Sequence, residues 1–513
     1  MNRCRAFLAL TLTLATSCSD PGPHAFVSVK ALVIAVTHVR VIDGTGAAGK
    51  DDQTVIIQGE RIRSLGNASD LRAPADARVI DGRGRTLIPG LVGMHEHLFY
   101  ETGDRLYPAQ AAFARLYLAS GVTTIRTAGT VDLDGDLRAK EQIDAGRLPG
   151  PKVHVTGPYL NTRSGPADPE RVSREVAAQA ARGATSFKAY TSLRGSELRA
   201  AIQAAHARGL TITGHLCAVG FREAAGLGID NLEHGLPVDS DFLAGKQVDE
   251  CPDQGASLGA LAGIDMLTDS WIQHTIADLV RHGVALTSTL AVFETFTGDP
   301  SAFDPRMSAV LAPNLQTRYE TERARWVDRE GGWPRIWSAA LTREMRFERM
   351  FVAAGGRLMA GVDPTGWGGI VAGFGDQREV ELLVEAGFTP EMAIRIASLN
   401  GAAFLSEDDQ IGRIAAGYLA DFVVLRGDPS KDISNVRNVE LVFKNGVGYD
   451  SAALIAATQG AVGRYDMRQI VRWPFNVLLI GVFSTLVIRL GARHFRRRTT
   501  QKDPTSDSPV RSL

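Results

Sequence analysis

A chain of 513 residues with 56 basic and 57 acidic side chains, and a formal net charge of -1, lacks the concentrated positive face that nucleic-acid recognition requires. Its length exceeds what one small core organises and suggests about two to four structural units. Catalysis or small-ligand binding on a large scaffold is the class of function left.

In chain order, Met-Asn-Arg-Cys-Arg, the apolar stretch Ala6 to Leu14 and the small residues Ala15, Thr16 and Ser17 have the layout of a secretory signal segment over 1–18. Cys18 also stands where bacterial lipoproteins carry their lipidated cysteine, so lipidation and plain cleavage or retention are alternatives there. Residues 30–85 set short β-branched runs between turn residues such as Asp43-Gly44 and Asp81-Gly82, which predicts the first part of a small β-sandwich domain. A similar signature at 409–450 predicts its second part, with the middle of the chain inserted between them.

The middle, 86–408, holds eight apolar strand-like runs separated by helical stretches such as Glu197 to Arg208 and Glu379 to Ala386, the alternation of an α/β fold with a (β/α)8 TIM-like barrel. The first run ends in Met94-His95-Glu96-His97. On a strand, residues two apart share a face, so both imidazoles reach the same side while Glu96 points away. Lys188, His215, His234 and Asp363 each follow a later run, in barrel order, at the strand ends where this fold gathers its functional groups. One strand-end histidine is ordinarily structural; six such residues at one mouth suggest a shared metal site. His154, His206 and His282 lack such company and read as structural. Lys188 and Tyr190 share strand parity, so Tyr190 faces inward either as a hydrogen-bond donor to substrate or as a packed core residue.

Gly235 to Asp269 and Thr297 to Trp337, the latter with Trp326, Trp333 and Trp337, are long for barrel loops and predict lids or partner surfaces, the alternative being solvated helical excursions. Cys217 and Cys251, the two cysteines outside the export segment, either pair or are unrelated thiols. The uncharged stretch from Trp473 to Ile488, bounded by Arg472 and Arg489, predicts a C-terminal transmembrane helix over 473–490. The basic tail 491–513 would then be cytoplasmic, and the protein membrane-anchored with its catalytic region exported, periplasmic or extracellular.

The segments Ile88-Pro-Gly-Leu-Val-Gly-Met-His-Glu-His, Gly121-Val-Thr-Thr-Ile-Arg, Gly183-Ala-Thr-Ser-Phe-Lys, Thr213-Gly-His, Leu232-Glu-His-Gly and Gly361-Val-Asp, with Ala397-Ser-Leu-Asn-Gly-Ala and Gly417-Tyr-Leu-Ala-Asp-Phe-Val-Val-Leu, carry a resemblance over roughly 31–450. Together they resemble the metal-dependent amidohydrolase superfamily, in its imidazolonepropionase-like and Xaa-Pro dipeptidase-like branch. The resemblance implies one divalent ion on His95, His97 and Asp363 and a second on His215 and His234. Zn²⁺ is the expected metal, and carbon dioxide captured on Lys188 as a carbamate would bridge the two. An inward lysine paired with Asp363 beside a single metal is the alternative. The family often carries an acidic residue where Gly93 stands, and often a histidine near Asn161 to Gly165 and near Phe374 to Gln377; this chain has neither.

The function this implies is cleavage of an amide C–N bond, of a peptide or an N-acyl amino acid, by a metal-activated water with Asp363 as proton carrier. The same site would serve a lactone, cyclic amide or phosphoester hydrolase. A catalytically inactive membrane-tethered binding protein would show itself by a missing ligand, and none is missing. Small-molecule or peptide substrates are the expected partners; the oligomeric state is open.

Overall fold

The computed structural model describes residues 22–103, 105–299, 303–327 and 332–464. Eight parallel barrel strands run in chain order: Leu91–Glu96, Val122–Thr127, Lys152–His154 continuing as Thr156–Leu160, Ser186–Ala189, Thr211–Gly214, Asn231–Glu233, Ala285–Ser288 and Leu358–Ala360. Val155 interrupts the third, so the ladder forms two arcs of three and six strands. A Thr130–Pro158 bridge joins the arcs on one side. On the other, the N–H groups of Val362 and Asp363 donate to the His95 carbonyl at 3.2 and 2.9 Å.

These strands are short and apolar because both faces are covered, as a parallel sheet requires. The outer helices follow the complementary rule. Gly195–His206 buries Leu198, Ala201, Ile202 and Ala205, the spacing that puts one stripe of a helix on the barrel.

The two β-rich ends of the chain form one sheet of nine strands rather than a sandwich of two hydrogen-bonded sheets. The reason lies in one strand: Phe422–Arg426, from the C-terminal part, pairs antiparallel with both Arg85–Pro89 and Val439–Lys444, zipping the ends into one ladder. Val29, beside one edge of the strand order, and Ile62, at the other, belong to the same apolar cluster with Val36, Phe422 and Phe443, so the sheet curls around a core of its own.

Cys217 and Cys251 are joined as a disulfide, which ties the loop after the fifth barrel strand to the excursion between Gly235 and Asp269. His206 and His154 are held by carboxylates, at 3.0 Å from Asp230 and 3.4 Å from Glu407.

Two expectations are corrected. The transmembrane helix at 473–490, and with it the membrane-anchored, exported localisation, is not supported, because no helix among the described residues is long and apolar enough to cross a membrane. The longest described helix, Trp333–Ala353, has 21 residues, but Arg335, Arg343, Glu344, Arg346, Glu348 and Arg349 within it forbid burial in hydrocarbon. The segment 473–490, the tail 491–513 and the signal segment 1–18 with Cys18 lie outside the described residues.

Candidate metal centre

All six residues of Leu91–Glu96 are buried, and His95 and His97 emerge at its C-terminal end. Their Nε2 atoms lie 3.4 and 3.1 Å from Asp363 Oδ1. One ligand atom from each of the three side chains lies within 4.8 Å of the others. His234 Nε2 is 3.8 Å from Asp363 Oδ2, and the His234 ring is 4.5 Å from those of both His95 and His215. The structure thus brings His95, His97, His215, His234 and Asp363 to one mouth of the barrel.

The other ring nitrogens explain what the Nε2 atoms can do. His97 Nδ1–H donates to the Gly129 carbonyl at 3.1 Å, and His95 Nδ1–H donates to Glu233 Oε2 at 2.9 Å. Such bonds select the tautomer whose Nε2 carries a lone pair. Two lone pairs and a carboxylate oxygen then face one another in a buried space, an arrangement that is repulsive unless a cation lies between them. His234 Nδ1 meets Thr289 Oγ1 at 2.8 Å, while its Nε2 has no hydrogen-bond partner. Burial keeps His234 and His97 neutral by lowering their pKa, and takes His215 down to about 3. The donor set fits a divalent metal ion.

Lys188 is 1% exposed, its Nζ has no hydrogen-bond partner, and it stands 3.7 Å from Glu233 Oε1. Burial pushes its pKa down to about 8, against the pull of Glu233 and Asp363. The Tyr190 ring lies 5.1 Å from His215 and 4.7 Å from Tyr159, and burial raises its hydroxyl to about 12, so it stays a neutral donor.

The floor of this site is not legible along the chain. Glu233 accepts from Arg126 Nη2 at 2.8 Å, from Thr213 Oγ1 and from His95, and Arg126 also donates to Asn231 Oδ1 at 2.7 Å. On a regular strand Glu233 and His234 would face opposite ways. His234 instead has φ +70°, a left-handed conformation uncommon outside glycine, which turns both neighbours toward the barrel interior. Asp363 has φ +48°, and strain of this kind concentrates at functional sites. The only prior signal was that Asn231 and Glu233 share strand parity. Gly129 was also unmarked: at φ +109°, a Cβ there would lie 2.5 Å from the Tyr159 ring, so a side chain would displace the carbonyl that orients His97 or the ring that packs beside it.

A bulge in the first strand, where Ile125 pairs with Gly93 but Thr127 pairs with Glu96, puts Gly93 and Glu96 on one face. The Glu96 carboxylate fills the space a side chain at 93 would need, its Oε1 2.5 Å from a Cβ built there. A carboxyl group is therefore present where the absent acid would stand. Burial, then the neighbouring Asp376, raises the Glu96 pKa well above the usual range. Asp376 caps the helix Phe374–Glu385 by accepting the Gly373 N–H at 2.8 Å, and burial pushes its own pKa up to about 7.

A carboxyl whose folded pKa is raised favours the folded state below its unfolded pKa and loses that advantage as pH rises through the folded value. Asp376→Asn cannot ionise and keeps a capping oxygen. Its stability relative to wild type is expected to climb by a few kcal/mol, about 1.4 per pKa unit, between pH 4 and pH 8. Urea unfolding at several pH values reads this difference, and a pH-independent difference refutes it.

The model of the amidohydrolase family matches residues 86–289 and 342–447, more than half of the chain. Imidazolonepropionase of Streptomyces avermitilis is 38% identical over 89 residues, 17% of this chain and 21% of that protein, so the chain spans about a fifth of the length of this relative. Among solved structures, a Xaa-Pro dipeptidase with bound methionine in its active site aligns over 82% of this chain and 100% of its own, at 20% identity and a TM-score of 0.60. Molinate hydrolase aligns over 85% and 98%, at 19% identity and a TM-score of 0.62. These two likenesses are of fold. By the match to its family model, which takes in both the histidine pair of the first strand and Asp363 after the eighth, this chain belongs to the amidohydrolase family.

Proposed function

We propose that the protein hydrolyses an amide C–N bond, of a peptide or an N-acyl amino acid, at a metal centre held by His95, His97 and Asp363, with His215 and His234 serving a second ion. The observation that carries this is the convergence of two Nε2 lone pairs on one carboxylate oxygen, with their Nδ1 atoms already committed to Gly129 and Glu233. Zn²⁺ suits this nitrogen-and-oxygen donor set. When bound, such an ion supplies Lewis acidity, lowering the pKa of water toward neutrality and polarising a carbonyl.

The chain's own residues do the rest. Held beside a cation, the Asp363 carboxyl would be ionised and able to accept a proton from the attacking water. It then returns that proton to the departing amine. Tyr190 O–H donates toward the substrate carbonyl. Lys188, whose pKa burial lowers to about 8, holds part of its population as free amine, which can add to carbon dioxide, forming an N–C bond and releasing one proton. The carbamate so formed would offer oxygen donors to the metal centre. A one-ion reading, with Lys188 kept as an ammonium, draws support from its 3.7 Å approach to Glu233.

Chelator-treated protein is expected to lose hydrolysis of a panel of fluorogenic peptides and N-acyl amino acids and to regain it with Zn²⁺. Metal content of one or two ions per chain, with a ¹³C carbamate resonance after labelled bicarbonate, separates the two readings. Undiminished activity after complete metal removal overturns the proposal.

A further inference from the structure

Beside the metal centre lies a cavity of about 750 Å³ whose floor includes His215, His234 and Asp363. Its walls are aromatic to an unusual degree: Phe293, Phe296, Trp326, Trp333, Trp337 and Trp367 all line it. The rings form a continuous path away from the metal centre. Phe293 stands 5.8 Å from the His234 ring, stacks on Trp337 at 5.4 Å and 23°, and Trp337 stacks in turn on Phe296 at 4.8 Å and 27°. Trp326 closes the path edge-on to Phe296 at 4.8 Å. Trp367 is fixed by its own N–H, which donates to Thr295 Oγ1 at 3.1 Å, and by stacking on Tyr319 at 5.6 Å.

Resting on the reading of this site as an amide hydrolase, we propose that its substrates are amides whose acyl part carries a large aryl group of two rings or more. Three observations carry the proposal. The volume is in the range of pockets that enclose drug-sized ligands and far exceeds what an acetyl or alanyl group fills. Rings meet other rings in offset-stacked or edge-on arrangements, and six aromatic side chains of the lining are available for such contacts with an aryl group. The aromatic path begins at His234, so an aryl group lying along it places its attached carbonyl at the metal centre. Apart from Asp363 on the floor, the charged groups at the cavity are Arg318, Glu322 and Arg325, spaced along one face of the helix Pro313–Val327, where Arg325 pairs with Glu322 at 2.8 Å. The wall is built by the segment after the seventh strand, by the helices Pro313–Val327 and Trp333–Ala353, and by the loop after the eighth. Apart from the loop after the eighth strand, which carries both Asp363 and Trp367, the elements that select the acyl group differ from those that gather the metal ligands.

The test uses the full chain and amides of one leaving amine with acetyl, benzoyl and 2-naphthoyl acyl groups. With Zn²⁺ present, kcat/KM is expected to rise about 100-fold or more from acetyl to naphthoyl. Trp337→Ala, and separately Trp326→Ala at a partly exposed position, lower the naphthoyl-to-acetyl ratio by about tenfold or more. A second readout does not depend on turnover: 2-naphthalenesulfonamide, which these conditions do not hydrolyse, quenches tryptophan fluorescence saturably in chelator-treated protein, and Phe296→Ala weakens that binding. Equal kcat/KM across the acyl series, or no saturable quenching, overturns the aryl assignment and leaves amide hydrolysis standing. Saturable quenching with no amide turned over at any metal loading overturns the hydrolase reading while the aryl cavity stands.

Discussion

With Asp363 in its proposed role, Asp363→Asn is expected to lower kcat by about 10² to 10⁴-fold, the range a positioned proton carrier contributes. Asparagine keeps the side-chain shape, and its carbonyl oxygen still faces the two Nε2 atoms, but it neither accepts a proton from water nor returns one to the amine. Because the lost interaction belongs to the transition state, the fall appears in kcat and kcat/KM together, with KM little changed. Asp363 is 8% exposed and its backbone N–H joins the eighth strand to the first, so a melt of the variant must show a folded chain before the kinetics are read. A folded Asp363→Asn protein with wild-type turnover removes Asp363 from the mechanism.

The second large effect is on stability. Arg126→Met keeps most of the volume of a side chain that is 1% exposed but strips Glu233, Asn231 and the Met94 carbonyl of their donor. Breaking a buried pair from one side leaves an uncompensated charge, and the expected loss is about 3–5 kcal/mol. Adding Glu233→Gln to Arg126→Met removes that charge and recovers part of the loss, because two groups in one network are not additive. Urea unfolding of the two single variants and the double variant measures this coupling. Simple additivity would show that Arg126 and Glu233 do not act as a pair. Glu233→Gln replaces the carboxylate that orients the His95 imidazole by an amide, and outer-sphere losses of this kind weaken metal binding by about 10- to 100-fold.

What could be read in advance and what could not divide along a physical line. Each barrel strand lies in an apolar run of the chain because a parallel strand covered on both faces must be apolar nearly throughout, and that demand is local. The spacing of His95 and His97 is equally local. The Glu233 floor is not, since alternation turns Glu233 away from His234 and only a left-handed residue at 234 brings both inward. The bulge that lets Glu96 occupy the place of a side chain at 93 depends on pairing with Val122–Thr127 and cannot be seen along the chain alone. The uncharged stretch near residue 480 shows the opposite error: apolar composition by itself suggested a membrane span, and no described helix supports one.

The sequence by itself determined the alternation of strands and helices, the β-rich character of both ends, and which residue types stand at the strand ends, because periodicity and residue chemistry act over a few positions. Tertiary structure alone decided that Asp363 meets both histidines, that Arg126 and Glu233 neutralise the floor, and that rings from four separate segments form one wall. Each of those depends on distances between residues far apart in the chain, which barrel closure sets and no local pattern records.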